Sequence, residues 1–130
     1  MNPFNPSASE FRAGRLMLET IKELTEKRES FAIETTLSGQ LYSHWIPLWK
    51  EKGYRVEIHF IYLRSANLAI SRVADRVRSG GHDMPDAVVR RRYEKGWRNF
   101  EKIFRDLADS WTVYDNSGTL PVIVASGVRP

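Results

Sequence analysis

Apolar residues in this chain recur with two spacings, one typical of helices and one typical of strands. The helical spacing predicts four helices, which span residues 9–28, 40–52, 66–79 and 85–110. Short runs of β-branched and aromatic residues predict four strands, which span residues 31–36, 56–63, 111–114 and 122–125. Because helices and strands alternate, we predict an α/β fold with a mostly parallel sheet and helices on both faces.

The strand predicted over residues 56–63, with the sequence VEIHFIYL, has the strongest pattern. Its apolar residues are nearly continuous, which is typical of a strand that is covered on both faces. Gly53 precedes this strand, and the pair Gly80 and Gly81 ends the helix that follows it. No internal repeat or linker divides the chain, so we predict a single domain over residues 1–130.

The overall composition limits the kinds of function that the chain can have. The 130 residues include no cysteine, which excludes disulfides and thiolate metal sites, and the three histidines lack the spacing of a zinc site. No apolar run reaches the length of a membrane span, and we expect a cytoplasmic protein with no membrane partner. A net charge of +4, from 20 basic and 16 acidic residues, favours anionic partners such as nucleotides, phosphorylated metabolites or RNA.

Arginine is concentrated in residues 72–93, which contain six arginines on either side of Gly80 and Gly81. The forked, permanently charged guanidinium group suits phosphate oxygens better than other side chains do. Two arginine-bearing helices joined by a glycine hinge predict a lid that closes over an anion, and a solvated basic surface is the alternative. The arginines that we expect to contact phosphate are Arg76, Arg91 and Arg92.

Neighbouring residues within this arginine-rich stretch cannot all serve one ligand. Arg91 and Arg92 point about 100° apart on a helix, so they cannot contact one small anion in the same way. We expect one of the three residues 90–92 to face the ligand and the others to face acids or solvent. His82, beside the glycines, is a candidate for contacting phosphate or capping the hinge, and a loop histidine without a function is the alternative.

Polar residues lie at the carboxyl ends of three predicted strands, at residues 34–39, 64–65 and 114–117, where ligands of open parallel sheets bind. Glu34 lies inside the first predicted strand, where a carboxylate is costly unless it has a partner or a task. It could orient a metal-bound water or accept a proton from a substrate hydroxyl, or it could pair with an arginine for structural reasons. For five other polar residues, the alternatives are contact with a ligand and formation of a turn. These residues are Thr35, Thr36, Ser38, Asn116 and Ser117.

Seven segments together resemble the zeta-toxin-like family of P-loop kinases, which includes related predicted ATPases of bacteria. They are PFNP (3–6), AGRLML (13–18), FAIETTLSG (31–39), GYRV (53–56), RV-x-x-RV-x-x-GGH-x-x-P (72–85), RRRY (90–93) and YDNS (114–117). They occur in the order of the family and extend over nearly the whole chain. The ordered set is far more specific than any one of its motifs.

The resemblance implies a three-layer P-loop-kinase-like fold and a transferase that uses ATP and Mg²⁺. Archetypal toxins of the family phosphorylate an amino-sugar nucleotide used in cell-wall synthesis, and an antitoxin-like protein is the implied partner. Carried over by position, the implied catalytic residues are Glu34, Arg76 and Arg91, and the implied substrate-binding residues are Thr35, Thr36 and Ser38. The implied nucleotide-binding residues are Arg90, Arg92, His82, Asn116 and Ser117.

The chain departs from the family because no G-x-x-x-x-G-K-[ST] motif is present in its 130 residues. In the family that Walker A segment and its strand precede PFNP, so the chain is N-terminally truncated relative to the family, as a natural short protein, a misassigned start or a fragment. The missing strand would lie between residues 31–36 and 56–63. We expect these two strands to pair directly, or another segment or a second copy to fill the gap.

Three functions are compatible with these residues. The first is an ATP-dependent kinase that phosphorylates a small hydroxyl-bearing molecule and is inactive or impaired in this chain, because the phosphate-binding loop is missing. The second is a non-catalytic module that binds phosphate, nucleotide or a partner protein. The third, a basic RNA-associated protein, is disfavoured because the arginines cluster near one hinge without a base-stacking aromatic motif.

Overall fold

The computed structural model describes the backbone of residues 8–129 and the side chains of residues 12–129. The PFNP segment therefore lies outside the described residues. The chain divides into two compact units, Met1–Ile33 and Glu34–Pro130. The single domain predicted from the sequence stays a prediction, and each unit is described by itself.

The first unit contains the helix α1, Ala8–Glu26. Its buried side chains include Ile21 and Thr25, and the Thr25 hydroxyl donates to the Ile21 carbonyl at 2.6 Å. The chain leaves the helix through Arg28, which has a φ of 58°, and residues 31–33 line an apolar cavity of about 370 Å³ together with α1 residues. The apolar spacing in residues 9–28 therefore predicted this helix correctly.

The second unit contains the sheet and the remaining helices. In chain order its elements are α2 (Leu41–Glu51), β1 (Glu57–Tyr62), α3 (Ala66–Arg78), α4 (Asp86–Asn99), a π-helical turn (Phe100–Phe104), α5 (Arg105–Leu107), β2 (Ser110–Asp115) and β3 (Val122–Val128). The helix predicted over residues 85–110 is thus one continuous helical stretch that contains a π-helical turn. No helix among the described residues is long and apolar enough to cross a membrane.

The sheet has three strands in the order β1-β2-β3, and the α/β fold class is confirmed. β1 and β2 are parallel, with Glu57 opposite Ser110 and Tyr62 opposite Asp115. β2 and β3 are antiparallel, with an irregularity between Val113 and Tyr114. The prediction of a mostly parallel sheet is therefore wrong for these strands. A four-residue turn signal after β2 leaves too little chain for a parallel crossover.

The core of the second unit lies between one face of this sheet and the α4 stretch. Phe100 and Phe104 are fully buried, and the Phe100 ring lies 4.8 Å from the Phe60 ring and 5.8 Å from the Trp111 ring. Trp97 packs on Phe60 with a ring distance of 5.3 Å. Burial of one such aromatic side chain contributes about 2–3 kcal/mol, so these contacts fix the helix against the strands.

The other face of β1 is open, which corrects the prediction of a strand covered on both faces. Glu57, His59 and Ile61 are exposed, and they alternate with half-buried residues along the strand. His59 contacts Tyr114 through Nδ1 and the phenol oxygen at 3.0 Å, so this face of the sheet carries polar contacts. The continuous apolar run of β1 conceals an alternation that only the packing of α4 on one face reveals.

Residues 31–36 form no strand, so the first predicted strand is wrong. Glu34 is exposed in an irregular segment and does not lie inside a buried strand. β1 pairs only with β2 among the described residues. The physical reason is that a strand forms only where a neighbour completes its backbone hydrogen bonds.

Candidate functional site

A cleft lies at the carboxyl ends of the parallel strands β1 and β2. Its volume is about 560 Å³, and it is lined by Ile61, Leu63, Arg72, Asp75, Arg76, Ser79 and Asn116. The second half of α3 lines it, and this helix begins where the Ser65 hydroxyl accepts a hydrogen bond from the Leu68 amide at 3.1 Å. The cleft therefore combines strand ends with the arginine-bearing side of α3, which is the position at which open parallel sheets bind ligands.

Arg72 holds one wall of the cleft in place. Its Nη2 atom donates to the carbonyl oxygens of Asn116 at 2.9 Å and Ser117 at 3.2 Å. These bonds join α3 to the turn that follows β2. Arg72 consequently has a structural task, although its positive charge still lies beside the cleft.

Arg76 lies one helical turn beyond Arg72 and also lines the cleft. Its side chain has no hydrogen bond or ion pair within residues 12–129, whereas the neighbouring Asp75 pairs with Arg78. The Arg76 guanidinium is exposed and keeps its donors for a ligand. Among the predicted phosphate contacts, Arg76 has the surroundings that an anion site needs.

The turn after β2 is an ordinary turn stabilised by its own side chains. Asp115 Oδ1 accepts from the Ser117 amide at 2.9 Å, and hydrogen bonds from the Ser117 side chain and backbone lower the pKa of Asp115. The Ser117 hydroxyl accepts from the Arg64 amide at 2.9 Å. Ser117 therefore helps to close the turn, while the Asn116 side chain lines the cleft.

The glycine pair between α3 and α4 caps α3. Gly80 has a φ of 94°, which an L side chain rarely adopts, and the Gly81 amide donates to the Arg76 carbonyl at 2.7 Å. His82 is exposed and is not among the residues that line the cleft. Hinge motion at this connection stays a prediction.

The three consecutive arginines of α4 have different surroundings. Arg90 donates from Nη2 to Asn67 Oδ1 at 2.7 Å. Arg91 and Arg92 are exposed and form no hydrogen bond or ion pair with any described residue. None of the three lines the cleft. Arg92 shares a helix face with Gly96 and Asn99, because residues spaced by four and seven lie on one side of a helix.

A second group of predicted residues forms a compact turn, which we call the hydroxyl turn and define as residues 35–38. The Leu37 amide donates to the Thr35 hydroxyl at 3.2 Å, and the hydroxyl oxygens of Thr36 and Ser38 lie 2.8 Å apart. Leu37 is buried with a φ of 56°. The three predicted substrate-binding residues are thus brought together, with the exposed Glu34 directly before them.

Helix α4 holds the hydroxyl turn through two residues that the sequence analysis did not select. Asn99 is buried, and its Nδ2 atom donates to the carbonyl oxygens of Leu37 at 2.7 Å and Gly39 at 3.4 Å. A Cβ atom on Gly96 would lie 2.3 Å from the Thr36 carbonyl oxygen. Glycine and asparagine are poor helix formers, so their presence inside a predicted helix was the available signal.

The sequence profile of the Zeta toxin family matches residues 6–125 of the chain. The chain belongs to the zeta toxin family. It is also 30% identical over 93 residues to an uncharacterized protein of Haemophilus influenzae, an alignment that includes 72% of this chain and 66% of that protein. The chain therefore spans slightly less than two thirds of the length of this relative. No solved structure matches the chain.

This match confirms the resemblance to the zeta toxin family that the seven motifs predicted. The arginine-bearing cleft fits an anionic group such as phosphate, because Arg76 is unpaired among the described residues and Arg72 adds charge beside it. No group of three or more metal-binding His, Cys, Asp or Glu residues occurs among the described side chains. Magnesium in kinases is held by one or two carboxylates together with phosphates and waters, and Asp75 is the carboxylate that lines this cleft.

The predicted residues thus fall into two places within the second unit. Arg76 and Asn116 share the cleft, and Thr35, Thr36 and Ser38 share the hydroxyl turn. His82 and the arginines of α4 are not among the residues that line the cleft, and they have no described contact with the hydroxyl turn. Convergence of all these groups on a single anion stays a prediction.

Proposed function

We propose that this chain belongs to an ATP-dependent kinase that transfers a phosphoryl group to a hydroxyl of a small molecule. Membership of the zeta toxin family supports a kinase-like domain. The single observation that carries the site is the cleft at the ends of β1 and β2, with the exposed, unpaired Arg76 in its wall. We also propose a P-loop-kinase-like layering of the fold, in which a further strand pairs with the free edge of β1.

Arg76 stabilises phosphate oxygens in this proposal. A guanidinium fork matches the geometry of phosphate, and phosphoryl transfer depends mainly on positioning and charge stabilisation. Arg72 keeps the cleft in shape through its bonds to the Asn116 and Ser117 carbonyls. Asn116, which also lines the cleft, contacts the nucleotide in this proposal, and Ser117 supports it by closing the turn.

The hydroxyl turn binds the acceptor molecule. The hydroxyls of Thr36 and Ser38 lie 2.8 Å apart, and one donates to the other, so one hydroxyl proton is left for a ligand. Glu34 precedes the turn and is exposed, which suits a base that orients the acceptor hydroxyl. One of Arg90, Arg91 and Arg92, together with His82, then contacts phosphate when it is bound.

The 130-residue chain is proposed to bind nucleotide weakly and to turn it over poorly. The residues contain no G-x-x-x-x-G-K-[ST] motif, so they lack the backbone amides and lysine that hold phosphates in P-loop kinases. Mg²⁺ would accompany the phosphates of ATP and neutralise part of their charge. ATP is supplied as the phosphoryl donor, and the residues of the chain orient its phosphates.

The proposal is tested by titrating ¹⁵N-labelled protein with ADP and ATP and following amide shifts. We expect shifts at residues 72–79 and 115–118, and we expect Arg76→Gln to weaken ADP binding about tenfold, the loss typical of one charged hydrogen-bonding partner. Arg98→Gln is the matched control, because Arg98 is exposed and does not line the cleft. Equal effects of the two substitutions would reject the cleft as the nucleotide site.

A second candidate function is a non-catalytic module that binds phosphate-rich ligands. It is favoured by Arg76, Arg91 and Arg92, which form no hydrogen bond or ion pair with any described residue. Such a module binds inorganic pyrophosphate and ADP with similar affinity, and its binding of both ligands weakens as the salt concentration is raised. A preference of tenfold or more for ADP, or measurable ATP hydrolysis, would contradict it.

A further inference from the structure

The hydroxyl turn is held in an unusual conformation by the helix that passes beneath it. We propose that Gly96 and Asn99 are positioning residues, which fix the backbone of residues 35–38 so that the Thr36 and Ser38 hydroxyls face the acceptor. This role rests on the proposed function, because it assigns the turn to the acceptor side of a phosphoryl-transfer site.

The first observation is the pair of hydrogen bonds from Asn99. Its side chain is buried, at 9% exposure, and Nδ2 donates to the Leu37 carbonyl at 2.7 Å and to the Gly39 carbonyl at 3.4 Å. One amide group therefore uses both of its protons on the turn and the residue after it. A buried amide in this arrangement resists displacement, because leaving a carbonyl unpaired away from water is costly.

The second observation is the close approach of the turn to Gly96. A Cβ atom at this position would lie 2.3 Å from the Thr36 carbonyl oxygen, which is far inside van der Waals contact. Gly96 is itself buried in the last turn of α4, where the helix continues into the π-helical turn. Glycine is unfavourable inside a helix, and here it is the residue that lets the turn lie directly on the helix backbone.

The third observation is the backbone of Leu37. Its φ of 56° is in the left-handed region, which is uncommon for a leucine and persists only where the surroundings impose it. The Leu37 side chain is buried, and its amide donates to the Thr35 hydroxyl at 3.2 Å. A left-handed residue between Thr36 and Ser38 reverses the chain and brings their hydroxyl oxygens to 2.8 Å.

The register of Asn99 is fixed by the core. The π-helical turn begins at Phe100, directly after Asn99, and both Phe100 and Phe104 are fully buried. Rotation of the helix about its axis would remove these rings from their contacts with the sheet. π-Helical turns within α-helices are frequent at functional sites, and this one connects the aromatic core to the support of the turn.

The experiment compares Asn99→Asp with the wild-type chain. The substitution keeps the size of the side chain and replaces both N–H donors with an acceptor. We expect the amide protons of Leu37 and Ser38 to exchange at least tenfold faster, whereas the Val113 amide in β2 keeps its rate after correction for global stability. Asn67→Asp is the matched control, because Asn67 is exposed and its Oδ1 acceptor role toward Arg90 is retained.

The functional measurement separates positioning from simple stabilisation. We titrate each protein with ADP and with an amino-sugar nucleotide, which is a hydroxyl-bearing acceptor of the class implied by the family. We expect Asn99→Asp to weaken binding of the amino-sugar nucleotide at least tenfold and to leave the affinity for ADP within twofold of the wild-type value. Gly96→Ala should show the same selectivity, and Asn67→Asp should show neither effect.

Four results would contradict the proposed role. Unchanged exchange at Leu37 in Asn99→Asp would show that Asn99 does not hold the turn. Faster exchange in Asn99→Asp without a selective loss of amino-sugar nucleotide binding would make Asn99 a structural residue only. The same conclusion would follow if the wild-type protein bound ADP at the cleft but its hydroxyl turn did not respond to the amino-sugar nucleotide. If the wild-type chain binds neither ligand, the proposed kinase function is wrong, and the positioning role is rejected with it.

Discussion

Two regions of the second unit carry the residues that the sequence selected, and they are built differently. The hydroxyl turn, residues 35–38, lies on the backbone of α4 and is bonded to the buried Asn99. The arginine connection, which we define as residues 76–92, ends one helix and starts the next with most of its arginines exposed. The first region is preorganised by packing, and the second leaves its charged groups free to follow a ligand.

This difference determines whether a substitution should alter the free energy of unfolding or ligand binding. In the hydroxyl turn the loss of conformational entropy is already complete in the folded chain, so changes there should alter the free energy of unfolding. An exposed arginine keeps about 2 kcal/mol of rotamer entropy that is lost only when a ligand is bound. Changes in the arginine connection should therefore alter binding and leave stability nearly unchanged.

The largest expected effect comes from Gly96→Ala. The added Cβ would overlap the Thr36 carbonyl oxygen, so either the turn or the helix must move. We expect the free energy of unfolding to fall by about 2–3 kcal/mol, which is the upper range for overpacking a filled site, although alanine is the better helix former. Urea denaturation followed by tryptophan fluorescence measures the change.

Gly14→Ala is the control for this substitution. Gly14 also lies in a helix, and a Cβ there would meet no atom within 4 Å. We expect this change to be neutral or to stabilise by up to about 1 kcal/mol, because only helix propensity changes. If both substitutions stabilise the chain, the hydroxyl turn does not lie on Gly96, and the contrast between the two regions is lost.

Asn99→Ala should have the next largest effect. It removes the donors to the Leu37 and Gly39 carbonyls and leaves a buried acceptor without a partner. We expect a loss of about 2 kcal/mol in the free energy of unfolding. Asn67→Ala, at an exposed position, should change it by less than about 0.5 kcal/mol. Similar losses for the two variants would contradict the proposed importance of the buried amide.

A third comparison sharpens the contrast within the arginines themselves. Arg72 donates to carbonyls of the turn after β2, whereas Arg76 has no such bond among the described residues. We expect Arg72→Met to cost about 1 kcal/mol of stability and Arg76→Met to cost less than about 0.5 kcal/mol. Thermal unfolding of both variants, in parallel with ADP titration, would show whether only Arg76 acts mainly through binding.

Much of this fold follows from periodic patterns that the sequence displays directly. The α1, α2 and α3 segments lie within one or two residues of the predicted helices, and β2 and β3 begin where the apolar runs begin. Helices are predicted well because their hydrogen bonds are local, and their apolar faces repeat along the chain. The hydroxyl turn does not follow from such a pattern, because the strand predicted over residues 31–36 does not form.

The remaining features depend on contacts between distant parts of the chain. Residues 31–36 have the composition of a strand, yet they form none, because pairing requires a neighbour that local sequence does not reveal. The position of Asn99 against Leu37 joins residues that are 62 positions apart. Individual arginines could not be assigned either, since Arg72 and Arg76 differ only in which carbonyl oxygens lie within reach.

The smallest expected effect concerns the pH dependence of the turn after β2. Hydrogen bonds from the Ser117 side chain and backbone lower the pKa of Asp115. Because the pKa is lowered in the folded chain, this stabilisation is complete above the ordinary Asp pKa of about 3.9 and is lost as the pH falls through the lower folded value. Ser117→Ala should raise the pKa of Asp115 toward its ordinary value. A carboxyl ¹³C titration of both proteins measures this shift, and an unchanged Asp115 pKa would mean that the turn beside the arginine connection is not held by its own side chains.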